Sequence, residues 1–254
     1  MSLGKLYVIG LGPGPADWLS PQASQALAEI TDLVGYFSYA ERVAPRPGLT
    51  FHASDNRVEL DRARHALELT AAGRTVGVVS GGDPGVFAMA AAVLEALESG
   101  PPAWLALDIE VLPGISAMQA AAARLGAPLG GDFCAISLSD NLKPWSVIER
   151  RLKAASEGDF VIALYNPASR ARPQQIHEAF ALLRELRLLA TPVVFARAVG
   201  RLDERIVLTT LGEADPALAD MSTLVLIGAT TTRFILRPDK RAFVLTPRGY
   251  GAGR

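Results

Sequence analysis

Two short loops constrain this 254-residue chain more than any other feature: Gly10-Leu11-Gly12-Pro13-Gly14-Pro15 and Ser80-Gly81-Gly82-Asp83-Pro84-Gly85. Each closes a strand-like run, Lys5 to Gly10 in the first case and the β-branched Thr75 to Ser80 in the second. Clustered glycines allow close approach to the main chain, and strand carboxyl ends are where open α/β sheets place their ligands. Around them strands and helices alternate. Pro21 to Asp32 reads as a helix, with Ser20 as N-cap, Pro21 at the first helical position, and Ala26, Leu27 and Ile30 on one face. Leu33 to Tyr36 is strand-like, Glu59 to Ala72 is an amphipathic helix ended by Gly73, and Val86 to Leu97 is an apolar helix. Ile109 to Leu112 and Ser116 to Leu125 complete the pattern as strand and helix. This alternation predicts a parallel sheet covered by helices.

The second half keeps the rhythm less tightly. Phe133 to Leu138 and Phe160 to Tyr165 read as strands, Pro144 to Ala155 and Pro173 to Leu189 as helices. Pro192 to Ala196, Arg205 to Thr210 and Thr223 to Gly228 then read as strands with little helix between them, which predicts a mixed sheet. The boundary is expected near Leu112 to Ala127, giving domains 1–114 and 115–254. The last ~20 residues, rich in arginine, proline and glycine, read as a tail with at most one short strand.

Several chemistries fail on detail. The first loop resembles a dinucleotide fingerprint, but position 15 is Pro15 where the third glycine belongs. Pro13 and Pro15 also lack the N–H groups that cradle a pyrophosphate. Gly114-Ile115-Ser116-Ala117-Met118 breaks the G-x-S-x-G nucleophile elbow at Met118, and Ser116 with Gln119 reads better as a capping box. His52, His65 and His177 are far apart in sequence, so no metal site is predicted. The net charge of −1 gives no global basic field, so nucleic acid is not an expected partner, and an RNA methyltransferase is disfavoured. A single cysteine, Cys134, the absence of an apolar run of ~18–20 residues, and a start without a signal-peptide pattern lead to the expectation of a cytoplasmic protein with no membrane partner. Asp83-Pro84 reads as an N-cap and first helical residue. Asp140, in Ser139-Asp140-Asn141, reads as a turn residue, and Cys134 as a small buried hydrophobe.

Five motifs in order identify a resemblance that covers nearly the whole chain: Gly10 to Gly14, Ser80 to Pro84, Pro113 to Ala117, Leu164-Tyr165-Asn166-Pro167, and Thr223 to Gly228. The chain resembles the tetrapyrrole methylases, enzymes that use S-adenosyl-L-methionine. Gly35-Tyr36 with Tyr39, the run Val79 to Ala90, and Asp132 to Asp140 followed by Pro144-Trp145 make it most similar to the ring-contracting branch of cobalamin synthesis. It departs from that branch at Gly81 and Phe87, where serine and tyrosine are frequent. The resemblance implies a two-domain, kidney-shaped α/β fold with the cofactor in a cleft between domains, and usually a homodimer. It implies methylation of precorrin-3B at C17 with ring contraction. The alternative is another precorrin or cobalt-precorrin methyltransferase of the pathway, including the cobalt-precorrin-3 enzyme. A non-enzymatic ligand carrier is the rival from another class.

By motif position the resemblance implies cofactor contacts at Pro13, Gly81, Gly82, Asp83, Val86, Ser116, Ala117, Tyr165, Asn166 and Ala198. The tetrapyrrole is expected against Gly12, Gly14, Arg42, Cys134, Ser137 and Lys143, with Arg57, Arg170 and Arg172 as further partners for its carboxylate arms. Ring contraction asks for loss of a hydroxyl proton, and Asp140, Asp83 and Ser139 are the candidates. No metal is required by this chemistry.

Overall fold

The computed structural model describes residues 4–55, 58–239 and 241–249. Arg57 lies outside the described residues. The chain forms two compact units, residues 1–116 and 117–254.

The first unit contains β1 (Lys5–Gly10), α1 (Pro21–Glu29), β2 (Asp32–Tyr36), α2 (Phe37–Ala40), β3 (Thr50–Ser54), α3 (Glu59–Ala71), β4 (Thr75–Ser80), α4 (Met89–Glu98) and β5 (Asp108–Leu112). Its five strands are all parallel, in the order β3-β2-β4-β1-β5. Strand alternation in β1 explains why the sheet is covered on both faces. Leu6 and Val8 pack with Ala63, Ala66 and Leu67 of α3 and Val93 of α4. Tyr7 and Ile9 join Ala23 and Ala26 of α1, together with Ile30 and Leu33.

Ser20 caps α1 as expected, its Oγ accepting from the Ala23 N–H at 3.1 Å. The helix stops at Glu29, however, and Asp32 begins β2 instead of ending α1. Ile30 is extended and buried, and the Thr31 N–H pairs with the Thr75 carbonyl, so the chain is already in the sheet. Helix α4 also begins later than the apolar pattern predicts. Ala88 is extended at its N-cap, and Phe87 sits at a φ of 52°. The Met89 N–H is met by Ser80 Oγ at 3.3 Å.

The second unit contains α5 (Ala117–Leu125), β6 (Gly126–Ala127), β7 (Phe133–Ser137), α6 (Trp145–Glu157), β8 (Val161–Tyr165), α7 (Gln175–Leu186), β9 (Pro192–Arg197), β10 (Arg205–Thr210), β11 (Thr223–Ile227), β12 (Arg233–Leu236) and β13 (Ala242–Leu245). The main sheet has the order β10-β9-β11-β8-β7 and is mixed as expected: only β7 and β8 are parallel, joined by α6. Ile148 and Leu152 of α6 and Ile176, Phe180 and Leu183 of α7 pack on Ile162, Leu164, Phe195 and Val225. The Phe180 and Phe195 rings stack at 5.8 Å.

The tail, expected to hold at most one short strand, contains β13 and the end of β12. Strands β12 and β13 form an antiparallel hairpin, and β13 also pairs parallel with β6. Val244 is buried, and the Thr246 hydroxyl donates to the Pro128 carbonyl at 2.6 Å. Arginine and proline in this segment masked the alternation around Phe243 and Val244. Among the described residues no helix is long and apolar enough to cross a membrane.

Asp32 supplies the fold's clearest pH dependence. Its buried carboxylate accepts from Arg74 Nε at 2.7 Å, His52 Nε2 at 2.9 Å and the Thr31 hydroxyl at 2.7 Å. Burial pushes the carboxyl up, but the hydrogen bonds from Arg74, His52 and Thr31 prevail and hold it below the usual carboxylate range. A depressed folded value stabilises the protein above the unfolded carboxylate pKa of ~3.9 and is lost as pH falls through the folded value. Asp32→Asn is therefore expected to melt below the unsubstituted protein at pH 7, with the gap narrowing below about pH 4, in thermal melts recorded across pH.

Candidate active site

In the first unit the carboxyl ends of β1, β4 and β5 lead into three loops, the first two held backbone to backbone. The Leu11 N–H donates to the Ser80 carbonyl at 2.9 Å, and Gly12 and Gly82 exchange amide hydrogen bonds of 3.1 and 2.9 Å. Gly12 and Gly82 have φ values of 63° and 71°, which glycine adopts without strain. Packing is the second reason for glycine. A Cβ on Gly114 would stand 2.2 Å from the Gly82 carbonyl oxygen, and one on Gly10 would stand 2.7 Å from Gly114 N. A Cβ on Gly81 would meet the Tyr39 ring at 2.6 Å, which accounts for glycine where serine is frequent in the branch.

Asp83 is not the cap of α4, and that reading is corrected. Its Oδ1 accepts from the Gly85 N–H at 2.8 Å and its Oδ2 from the Gly114 N–H at 3.0 Å, so the carboxylate ties the β4 loop to the β5 loop. Ser80, which sequence reasoning passed over, supplies the oxygen at the helix start instead. Arg42 directs its guanidinium at the carbonyls of Leu11 (2.8 Å) and Gly12 (3.1 Å), which fixes the first loop. Pro13, Gly14 and Val86 lie partly exposed in these loops, and Ser116 is buried beyond β5.

In the second unit β7 and β8 end side by side, with Ser137 opposite Tyr165. Ser137 Oγ accepts from Asn166 Nδ2 at 3.0 Å and from the Ser139 N–H at 3.3 Å. The Tyr165 hydroxyl accepts from the Met118 N–H at 3.1 Å, in the first turn of α5 that Ala117 opens. Buried Arg172 reaches the carbonyls of Leu138 and Asn166 from below, and Arg170 is exposed. Asp140 is partly buried and accepts from Gln175 Nε2 at 3.0 Å. Burial pulls the Lys143 ammonium below the ordinary lysine range, helped by Arg151 and Arg172 and opposed by Asp140. Gln175 is the group that sequence reasoning missed, since nothing in the α7 pattern distinguishes it from a solvated position.

Cys134 does not belong to this polar group, which corrects the expectation that it faces substrate. It lies toward the amino end of β7 and packs against the core of α6 and α7. Burial raises its thiol, as expected for an inert packing cysteine. His52 and His65, distant in sequence, meet at 3.1 Å beside Asp32, at the amino end of the first sheet. Among the described residues no group of three or more histidine, cysteine or acidic side chains is arranged to hold a metal.

Backbone strain marks the same places. Among the described residues the non-glycine positive φ values fall at Phe87 (52°), Asp159 (54°), Asn166 (50°) and Ala198 (49°). Three of these are at, or directly beside, positions expected to touch a ligand, and such strain persists at ligand clamps where the surroundings enforce it.

A parallel sheet with a glycine clasp at its carboxyl edge and a mixed sheet with a polar, strained edge define a class. Residues 5–215 match the family model of the Tetrapyrrole (Corrin/Porphyrin) Methylases, and the chain belongs to that family. Within it, the chain is 56% identical over 247 residues, 97% of both chains, to the precorrin-3B C(17)-methyltransferase of Sinorhizobium. It superposes on the crystal structure of the methyltransferase CobJ with a TM-score of 0.91 at 53% identity, over 96% of this chain and 100% of that one. A cobalt-factor III methyltransferase of Priestia megaterium is 40% identical over 97% of this chain and 45% of that longer protein.

The Gly114 contact makes a direct prediction. Gly114→Ala is expected to force the β4 and β5 loops apart, lowering stability by about 1–3 kcal/mol in chemical denaturation. It is also expected to weaken S-adenosylhomocysteine binding in calorimetry. A variant with unchanged stability and affinity would contradict the clasp.

Proposed function

We infer that the chain transfers a methyl group from S-adenosyl-L-methionine to C17 of precorrin-3B, with ring contraction to precorrin-4, in cobalamin biosynthesis. The observation that carries this reading is 56% identity over 97% of both chains to a precorrin-3B enzyme, against 40% to a cobalt-factor III relative. The methyl donor supplies an electrophilic methyl on a sulfonium and departs as a neutral thioether. Pro13, Gly81, Gly82, Asp83, Val86 and Ser116, with Ala117, Tyr165, Asn166 and Ala198, are proposed to hold it. What supports the fit is the glycine clasp, where an added Cβ would clash with neighbouring main chain, and the positive φ of Asn166 and Ala198. A phosphate-free donor also suits a first loop whose Pro13 and Pro15 offer no N–H.

The protein's own contribution is alignment and proton removal. Holding donor and acceptor in line contributes ~7–11 kcal/mol in well-oriented systems. We propose Asp140 as the base that accepts the macrocycle's hydroxyl proton, with Ser137 and Ser139 shaping its loop. Gly12, Gly14 and Lys143 are proposed to face the substrate, Lys143 as a cation for a carboxylate arm. Asp83 and Arg42 act by holding the loops that carry the donor and the macrocycle. A homodimer in the cytoplasm is proposed on the family resemblance and on a single, packed cysteine.

Incubation with S-adenosyl-L-methionine and precorrin-3B is expected to give a methylated, ring-contracted product by absorbance and mass. An unaltered macrocycle would sink the assignment. Asp140→Asn is expected to lower kcat by about 10²–10⁴-fold, with S-adenosylhomocysteine affinity retained. Full activity in that variant would remove Asp140 as the base.

A further inference from the structure

The Gln175 carboxamide has one end bound and the other orphaned. Its Nε2 donates to Asp140 Oδ2 at 3.0 Å, while its Oε1 is buried with no hydrogen-bond partner. An amide can face a carboxylate only through its NH2 group, because two acceptors repel. The arrangement therefore keeps the Asp140 contact at the expense of an unsatisfied acceptor, a combination that a purely structural glutamine would avoid. Gln175 also opens α7, so its backbone is set by the helix rather than by the Ser139 to Lys143 loop that it grips. The charged groups around that loop are Lys143 itself, Arg172 from the segment before α7, and Arg151 of α6. Gln175 adds a neutral donor to these cations and so fixes direction without adding charge.

We propose that Gln175 is a positioning residue that aims the Asp140 carboxylate at the substrate's hydroxyl proton. The inference rests on the reading of Asp140 as the base. The proton moves from the substrate hydroxyl to an Asp140 oxygen, and Gln175 neither gains nor loses one.

Gln175→Met, which keeps the length and removes both polar atoms, is the decisive variant, assayed with precorrin-3B and S-adenosyl-L-methionine. It is expected to lower kcat about tenfold and leave the KM for the methyl donor unaltered. Its melting temperature is expected to match or exceed that of the unsubstituted protein, because the orphaned acceptor is gone. Gln175→Glu, which sets a second carboxylate against Asp140 and repels it from its position, is expected to lower kcat further, so the order holds even if one variant folds poorly. A lower melting temperature with an unaltered kcat in both variants would overturn the proposal and leave Gln175 structural. If Asp140→Asn retains full activity, the base assignment itself fails. If Asp140→Asn is inactive while Gln175→Met matches the unsubstituted enzyme, only the inference about Gln175 fails.

Discussion

The pair of amide hydrogen bonds between Gly12 and Gly82 is the constraint on which the first unit's chemistry depends. It joins the loops after β1 and β4 by main chain alone, leaving no room for side chains at the junction. Asp83 then adds the β5 loop through the Gly114 amide, an ionised acceptor on a neutral donor and so stronger than an ordinary backbone contact. Arg42 adds a guanidinium on the carbonyls of Leu11 and Gly12. Three loops that would otherwise move independently become one surface, whose shape is set before any ligand arrives. Such preorganisation is what an in-line methyl transfer needs from a protein that contributes little covalent chemistry of its own.

The second unit reaches the same end by a different route. Its β7 and β8 loops are joined by side chains: Ser137 gathers Asn166 and Ser139, and Arg172 takes the carbonyls of Leu138 and Asn166. Polar side chains can be rearranged more readily than a glycine contact. This part of the molecule is accordingly where a carboxylate, a cation and an amide are grouped, and where burial and neighbouring charges can shift a pKa. Lys143 already shows it, with burial and two arginines set against one aspartate.

The architecture was legible because periodicity reports burial. β1 reads as a continuous apolar run and is covered on both faces, and Arg205 to Thr210 and Thr75 to Ser80 have the bounds that their β-branched pattern indicates. Local propensity failed where distant partners decide. Asp83-Pro84 has the composition of a helix start, yet the Gly114 amide, 31 residues away, claims the carboxylate and delays the helix to Met89. Phe243 and Val244 gain their strand from β12 and β6, which no window around them contains. At the site, the positions that came from ordered motifs lie on strand ends, whereas Cys134 was drawn in by proximity in sequence and points to the core. Gln175 left no trace because its significance is a single long-range hydrogen bond.

The small sheet carries a consequence for how the chain is made. Strand β13 is its middle strand, flanked by β12 and β6, and the Thr246 hydroxyl closes on Pro128 across a sequence separation of 118 residues. While a ribosome is still translating the intervening segment, Gly126 and Ala127 have no strand to meet, although residues 1–116 already contain every strand of the first sheet. Synthesis therefore separates the two units in time: one completes its hydrogen-bonded sheet early, while the other holds an open edge until nearly its whole length has emerged. Long-range pairing of this kind slows the last folding step.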